Sequence, residues 1–260
     1  LIAVLYTKKG GEGPSLNVVL FLAGNEEVRD EWEDQLDDFV DFFRGKYPPV
    51  GYLEKVREIC TKHGLLLVFD EVITGFGRMG TAFATQKFNV KPDIITMAKA
   101  LTNGAIPMGG VAVTDEIYDT VTNAAPENAI EFFHGYTYSA HPAACAAGIA
   151  TQKIYESEGL FDLAAELEDY FLDAVWSLQD HPLVADIRGI GLMAGVELIS
   201  DGVAGHRGGQ MQKTMFWNGL HVKFTGDNAI IAPAFVAERK HVDEIVDKFR
   251  KSLDAELDAK

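Results

Sequence analysis

The sequence predicts an α/β protein: a mostly parallel sheet with flanking helices, followed from about residue 159 by a smaller mixed α+β unit. Three observations carry this. Residues 65–69 form an unbroken apolar run between His63-Gly64 and Asp70, the pattern of a strand buried on both faces, as in a parallel sheet. Ile94-Ile95-Thr96-Met97-Ala98 follows Pro92-Asp93 and ends on Lys99, a second and shorter strand of the same kind. Strand-like and helix-like stretches alternate to about residue 155, beyond which the order becomes mixed.

Composition sets the bounds. A chain of 260 residues buries a proper core as one large domain, or one large and one small. Hydrophobic residues make up 47% and charged residues 24%, ordinary globular values. The net charge of −16 argues against nucleic acid or anionic membranes as partners, since both would repel it. Two cysteines make no disulfide framework. Cys60 on an amphipathic helix and Cys145 in an Ala-rich one are expected as buried thiols in a reduced, cytoplasmic setting. The apolar run at 17–24 is too short to span a bilayer, and the start lacks a basic stretch, apolar core and cleavage site in series.

Residues 1–47 are unassigned. Residues 1–6 read as a strand, followed by a Gly-rich break, and residues 18–23 as a second strand. Asn25 then suits an N-cap, with Glu26 and Glu27 in the first turn. Apolar residues at 28, 32, 36, 39, 40 and 43 continue at helical spacing. Gly51-Tyr52-Leu53 opens a helix that closes at His63-Gly64, with His63 as a C-terminal cation. The segment from 81 to 90 reads as a polar connection. Ahead of it, Gly75-Phe76-Gly77-Arg78-Met79-Gly80 is either a structural turn or a phosphate cradle.

Beyond Lys99 a flexible stretch leads into a strand at 111–113. Asp115 is expected to cap a helix over 116–122, and 123–135 is a long loop. Tyr136-Thr137-Tyr138-Ser139 precedes an Ala-rich helix from about Pro142 to Glu156. Hydroxyls and amides ahead of such a helix form a phosphate site, or Ser139 simply caps it. An amphipathic helix over 159–178, β structure over 187–199 broken by Gly189, Gly191 and Gly195, and a helix over 209–218 follow. A hairpin at 220–231 and a closing helix over 238–257 complete the chain.

Chemistry concentrates at the ends of the first two buried runs. In open parallel sheets ligands gather outside the carboxyl ends of the strands. Asp70 there is either a cap or loop residue, or the partner of a pyridinium nitrogen. Lys99, moved towards a dry pocket, becomes a nucleophile for carbonyl carbon, the step that opens Schiff-base chemistry.

DEVITGFGRMG, then PDIITMAKALTNGAIPMGGVAV, then HGYTYSAHPAACAAG resemble the class III, or omega, aminotransferases, nearest to the beta-alanine:pyruvate group. The resemblance runs from about Pro48 to the C-terminus. It implies a fold type I transferase dependent on pyridoxal 5'-phosphate, truncated at its N-terminus. It divides the chain into an unassigned segment 1–47, part of the large cofactor-binding domain at 48–158, and a small C-terminal domain at 159–260. By this resemblance Lys99 holds the cofactor covalently and shuttles a proton, in a dry, cation-rich pocket that keeps its amine neutral. Asp70 binds the pyridine nitrogen and Val72 presses on one ring face. Thr137, with the Tyr136 backbone, reaches the phosphate of the partner subunit's cofactor, which implies a homodimer with shared sites. The implied reaction moves an amino group from an omega-amino acid or amine to a keto acid such as pyruvate. An aminomutase or racemase on the same cofactor, or a non-catalytic remnant, are the alternatives; no metal is called for.

Two departures stand out. Lys223 takes the place of the family's substrate-carboxylate arginine, keeping the charge without the bidentate fork. Ile230 stands where the beta-alanine:pyruvate group has a glutamine. The family's N-terminal Gly-Ser phosphate loop and ring-stacking aromatic find no counterpart in residues 1–47.

Overall fold

A computed structural model describes residues 18–21, 51–129, 135 and 137–258. The expected strand at 1–6 and the helix begun at Asn25 lie outside them. The chain divides into two compact units, the first within Ser15–Phe76 and Phe83–Glu158, the second formed largely by Gly77–Ala82 and Gly159–Lys260.

The first unit carries a four-stranded sheet in the order β1 (Val18–Phe21), β2 (Leu66–Asp70), β3 (Ile94–Met97), β4 (Gly110–Val113). Its central pair, β2 and β3, is parallel, and β1 and β4 flank it antiparallel. The mostly parallel sheet expected from the apolar runs is thus parallel only at its centre among the described residues. Among β2, β3 and β4, β2 is largely buried, β3 half-buried and β4 largely exposed.

Helix α1 (Tyr52–His63) buries Leu53, Val56 and Cys60, which pack with Leu65, Leu67 and Phe69. It ends on Gly64 in the left-handed region at φ 64°, where the glycine N–H reaches the carbonyls of Cys60 and Thr61. Burial pushes the Cys60 thiol above its usual range. Cys145, expected as buried, is only half-buried.

The register of β2 on β3 is held by Asp93, just ahead of β3. Its N–H donates to the Leu67 carbonyl at 2.8 Å. Its Oδ2 accepts from the Leu67 N–H at 2.6 Å and from Arg57 Nη1 of α1 at 2.7 Å. Both backbone groups of one β2 residue are therefore tied to one residue of the neighbouring chain segment, which brings Asp70 opposite Thr96.

Between β2 and β3 lies the short helix α2 (Ala84–Phe88), in a stretch whose sequence reads only as a polar connection. The reason is Glu71, 1% exposed. Its carboxylate accepts from Thr74 Oγ1 at 2.5 Å and from the N–H groups of Ala84 and Thr85 at 2.9 and 3.0 Å, across the first turn of α2.

Helix α3 (Asp115–Asn123) buries none of its residues, and its cap residue is Thr114, with Asp115 in the first turn where the dipole favours it. Helix α4 (Pro142–Ser157) opens with Pro142 in its first turn after His141, so Ser139 is not its cap.

The second unit is an antiparallel sheet in the order β5 (Val184–Ile190), β6 (Met193–Leu198), β8 (Asn228–Ile231), β7 (Lys223–Thr225), with helices α5 (Leu160–Trp176), α6 (His206–Trp217) and α7 (Arg239–Asp258). Leu167, Phe171 and Val175 of α5, Met211 and Met215 of α6, and Val242, Phe249 and Leu253 of α7 close its core over Val196 and Ala229. Gly189 and Gly195 lie inside β5 and β6, and only Gly191, at φ 58°, turns the chain between them.

Residues 77–80 of the glycine-rich turn belong to this unit. Arg78 Nη1 donates to the carbonyls of Leu192 at 2.9 Å and Pro233 at 2.7 Å, and its guanidinium lies 4.7 Å from the Phe235 ring centre. Gly77, at φ 101°, leaves no room for a side chain, since a Cβ would meet Phe161 Cδ1 at 2.5 Å. These contacts pack residues 77 and 78 within the second unit.

Candidate active site

The end of β2 and the chain leaving β3 form the candidate site. Asp70 is the last residue of β2, and the parallel register sets it beside Thr96 of β3. Its Oδ1 accepts from the Val72 N–H at 3.1 Å and from Thr96 Oγ1 at 3.2 Å. Oδ2 has no partner among the described residues. Asp70 and Val72 are both half-buried, so the open oxygen remains within reach of a ligand.

Lys99 begins a short 3-10 turn over Lys99–Leu101 just past β3. Its backbone sits in the left-handed region at φ 45°, a conformation that costs a residue with a Cβ on the order of 1–2 kcal/mol. Such strain needs surrounding structure to hold it. The Lys99 carbonyl accepts the N–H groups of Thr102 and Gly104, each at 3.3 Å. Helix α4 holds the same turn from the side: Tyr155 Oη donates to the Ala100 carbonyl at 2.7 Å and Gln152 Nε2 to the Leu101 carbonyl at 3.3 Å. The Lys99 side chain is exposed. The dry, cation-rich pocket expected around its amine is not formed by the described residues.

Thr137 lies elsewhere in the same unit. With Met108, Gly109, Ser139 and His141 it lines a cavity of about 340 Å³ at the N-terminus of α4. His141 makes no side-chain cap there, and the lining includes the hydroxyl-bearing Thr137, Tyr138 and Ser139, residue types that ahead of a helix N-terminus suit an anion. Asp70, Val72 and Lys99 do not line it. Tyr136 lies outside the described residues. Lys223 is exposed in β7 of the second unit, where it pairs in register with Ile230. The structure thus brings Asp70, Val72 and the lysine-bearing turn to one sheet end, while Thr137 lines the cavity at the start of α4 and Lys223 belongs to the second unit.

Sequence reasoning missed Thr96, Glu71 and Tyr155. Thr96 had a signal, a hydroxyl inside an otherwise apolar strand. The other two act through tertiary contacts that no local spacing shows. Among the described residues, no three His, Cys, Asp or Glu side chains are grouped to hold a metal ion.

The donor set fits pyridoxal phosphate: a half-buried carboxylate with an open oxygen suits a protonated ring nitrogen, and a lysine amine suits an aldehyde. Fold and site together define an α/β protein with a carboxylate and a lysine-bearing turn at one sheet end. The comparisons carry this to a family. The aminotransferase class-III model matches residues 45–253. An omega-aminotransferase of Caulobacter vibrioides is 50% identical over 207 residues, 79% of this chain and 47% of that protein. A beta-alanine–pyruvate aminotransferase of Pseudomonas aeruginosa is 45% identical over 208 residues, covering 79% of this chain and 46% of that protein. A solved thermostable (S)-enantioselective omega-transaminase from Thermomicrobium roseum superposes with a TM-score of 0.74 at 37% identity, over 80% of this chain and 47% of that one. The chain belongs to the class III aminotransferase family, with its fold type I architecture, and spans about half the length of the curated relatives it matches.

Proposed function

We propose that this chain carries the lysine and ring-nitrogen groups of an omega-aminotransferase site, moving an amino group from an omega-amino acid or amine to a keto acid such as pyruvate. The observation that carries this is Asp70, with Oδ1 engaged and Oδ2 open, at the sheet end that leads into the Lys99 turn. When bound, pyridoxal phosphate supplies an aldehyde for amines and a ring that accepts the electron pair released at the substrate carbon. Asp70 Oδ2 would accept a hydrogen bond from the protonated ring nitrogen, and Val72 would pack on one ring face. Lys99 Nζ would hold the cofactor through its aldehyde carbon and would serve as the proton carrier at the substrate carbon. Thr137 Oγ1 would donate to a phosphate held in the partner subunit of a homodimer. Lys223 Nζ pairs with a substrate carboxylate as a point charge.

The large cofactor domain in this reading is 48–158, the small domain 159–260, and 1–47 stands apart. Two unpaired cysteines suit the reducing cytoplasm. Among the described residues no helix is long and apolar enough to cross a membrane.

A second reading, a family member without catalysis, is favoured by the exposure of Lys99. Pyridoxal phosphate, beta-alanine and pyruvate incubated with the native chain and with Lys99→Ala separate the two. Alanine formed by the native chain alone supports transamination. Alanine from neither leaves the second reading. A product formed from the amino acid without any keto acid points to an aminomutase or racemase.

A further inference from the structure

We propose that the Thr96 hydroxyl is the positioning group that aims the Asp70 carboxylate at the cofactor's ring nitrogen, an inference that rests on the function proposed above. A carboxylate at a strand end turns freely about its last bond unless something holds one oxygen. Here two donors converge on the same atom. The Val72 N–H comes from the chain just beyond the strand, and Thr96 Oγ1 from the neighbouring strand, at 3.1 and 3.2 Å from Oδ1. The backbone donor fixes the oxygen relative to β2 alone. The hydroxyl fixes it relative to β3, the strand that leads to Lys99.

This second link ties the group facing the ring nitrogen to the segment bearing the amine that binds the aldehyde. The strand pairing continues one step further, with the Glu71 N–H donating to the Thr96 carbonyl at 2.9 Å. Thr96 is therefore held by its own backbone while its side chain holds Asp70. A valine fits the same half-buried space and leaves the backbone link intact, but it releases one side of Oδ1. The carboxylate then rotates between Oδ1 and Oδ2 as acceptors, and the ring nitrogen keeps its proton less firmly.

The test compares native chain, Thr96→Val, Thr96→Ser and Asp70→Asn as purified proteins titrated with pyridoxal phosphate, following the visible absorbance band of the lysine-bound cofactor and its pH midpoint. Melting of each protein without cofactor checks folding. Thr96→Val is expected to bind cofactor about tenfold more weakly, the scale of one hydrogen bond to a charged group. Its band midpoint moves up in pH, because a less firmly protonated ring withdraws less charge from the lysine nitrogen. Thr96→Ser keeps the hydroxyl and behaves as native. Adding Thr96→Val to Asp70→Asn has no further effect, since the hydroxyl acts through that carboxylate.

Should Thr96→Val not fold, Thr96→Ala replaces it with the same expectation. A Thr96→Val protein with native affinity and midpoint overturns the proposal and leaves the proposed function standing. An additive loss in the double variant also overturns it, showing a role that does not pass through Asp70. No band in the native chain overturns the proposed function and this inference with it.

Discussion

Asp70, Lys223 and the two cysteines show how single side chains divide the work of this molecule. Asp70 keeps Oδ1 in two hydrogen bonds, so only Oδ2 is left to meet a ligand. Lys223, exposed on β7, offers a charge without a fork. A guanidinium binds a carboxylate through two parallel bonds, and an ammonium does not. Lys223→Arg should therefore lower KM for beta-alanine by up to about tenfold, the effect of one added charge-assisted hydrogen bond. KM for an aromatic amine without a carboxylate should stay unchanged. Steady-state kinetics with both donors checks this, and equal changes for the two would remove Lys223 from carboxylate binding. The cysteines give a simpler test. Cys60 is fully buried and its thiol is pushed up by burial, whereas Cys145 is half-buried. A thiol-directed reagent at neutral pH should modify Cys145 in the native chain and Cys60 only after unfolding, read by peptide mass.

At the scale of elements, short polar contacts decide where the strands sit. Asp93 ties Leu67 by side chain and backbone and draws Arg57 onto the same oxygen. Asp93→Ala should cost about 1–3 kcal/mol, the penalty for leaving a strand N–H and a guanidinium without their acceptor. Lys55→Ala, which removes only an exposed pair with Glu58, should change stability by no more than about 0.5 kcal/mol. Thermal or denaturant melts compare the two, and equal losses would mean that Asp93 does not hold the register. Glu71→Ala should lose about 3 kcal/mol or more, because it strips two buried donors and one half-buried donor of their acceptor. Strands β2 and β3 were legible in sequence because each lies in an apolar run bounded by Gly, Pro or a charge. Helix α2 was not, since five residues show no amphipathic period and Glu71 supplies its stability from outside. The turn at 77–80 was legible as a turn, but its place against Phe161 and Leu192 comes from packing distant in sequence. Lys99 and Asp70 were legible as strand-end residues. Thr96 was hidden inside a run read as apolar.

The whole molecule carries a net charge of −16, and its ion pairs temper that repulsion locally. His206 holds the Asp201 carboxyl below its usual range, Lys240 does the same for Glu238, and Lys248 for Glu244. A carboxyl depressed in the folded state adds stability above its unfolded pKa and loses it as pH falls through the folded value. The melting temperature of the second unit, which holds all three, should hold from pH 7 to about 5 and fall below about pH 4, where ordinary carboxyls take up protons. Melts across that range check the sign, and a rise on acidification would mean that relief of the general repulsion outweighs the pairs. The central claim concerns the other unit, which presents Asp70 and Lys99 at one sheet end. The measurement that tests it most directly is the absorbance spectrum of the purified chain with added pyridoxal phosphate, beside Lys99→Ala. A visible band in the native chain, absent from the variant and converted on adding beta-alanine or an aromatic amine, is the result this account predicts. A native spectrum no different from that of Lys99→Ala would contradict it.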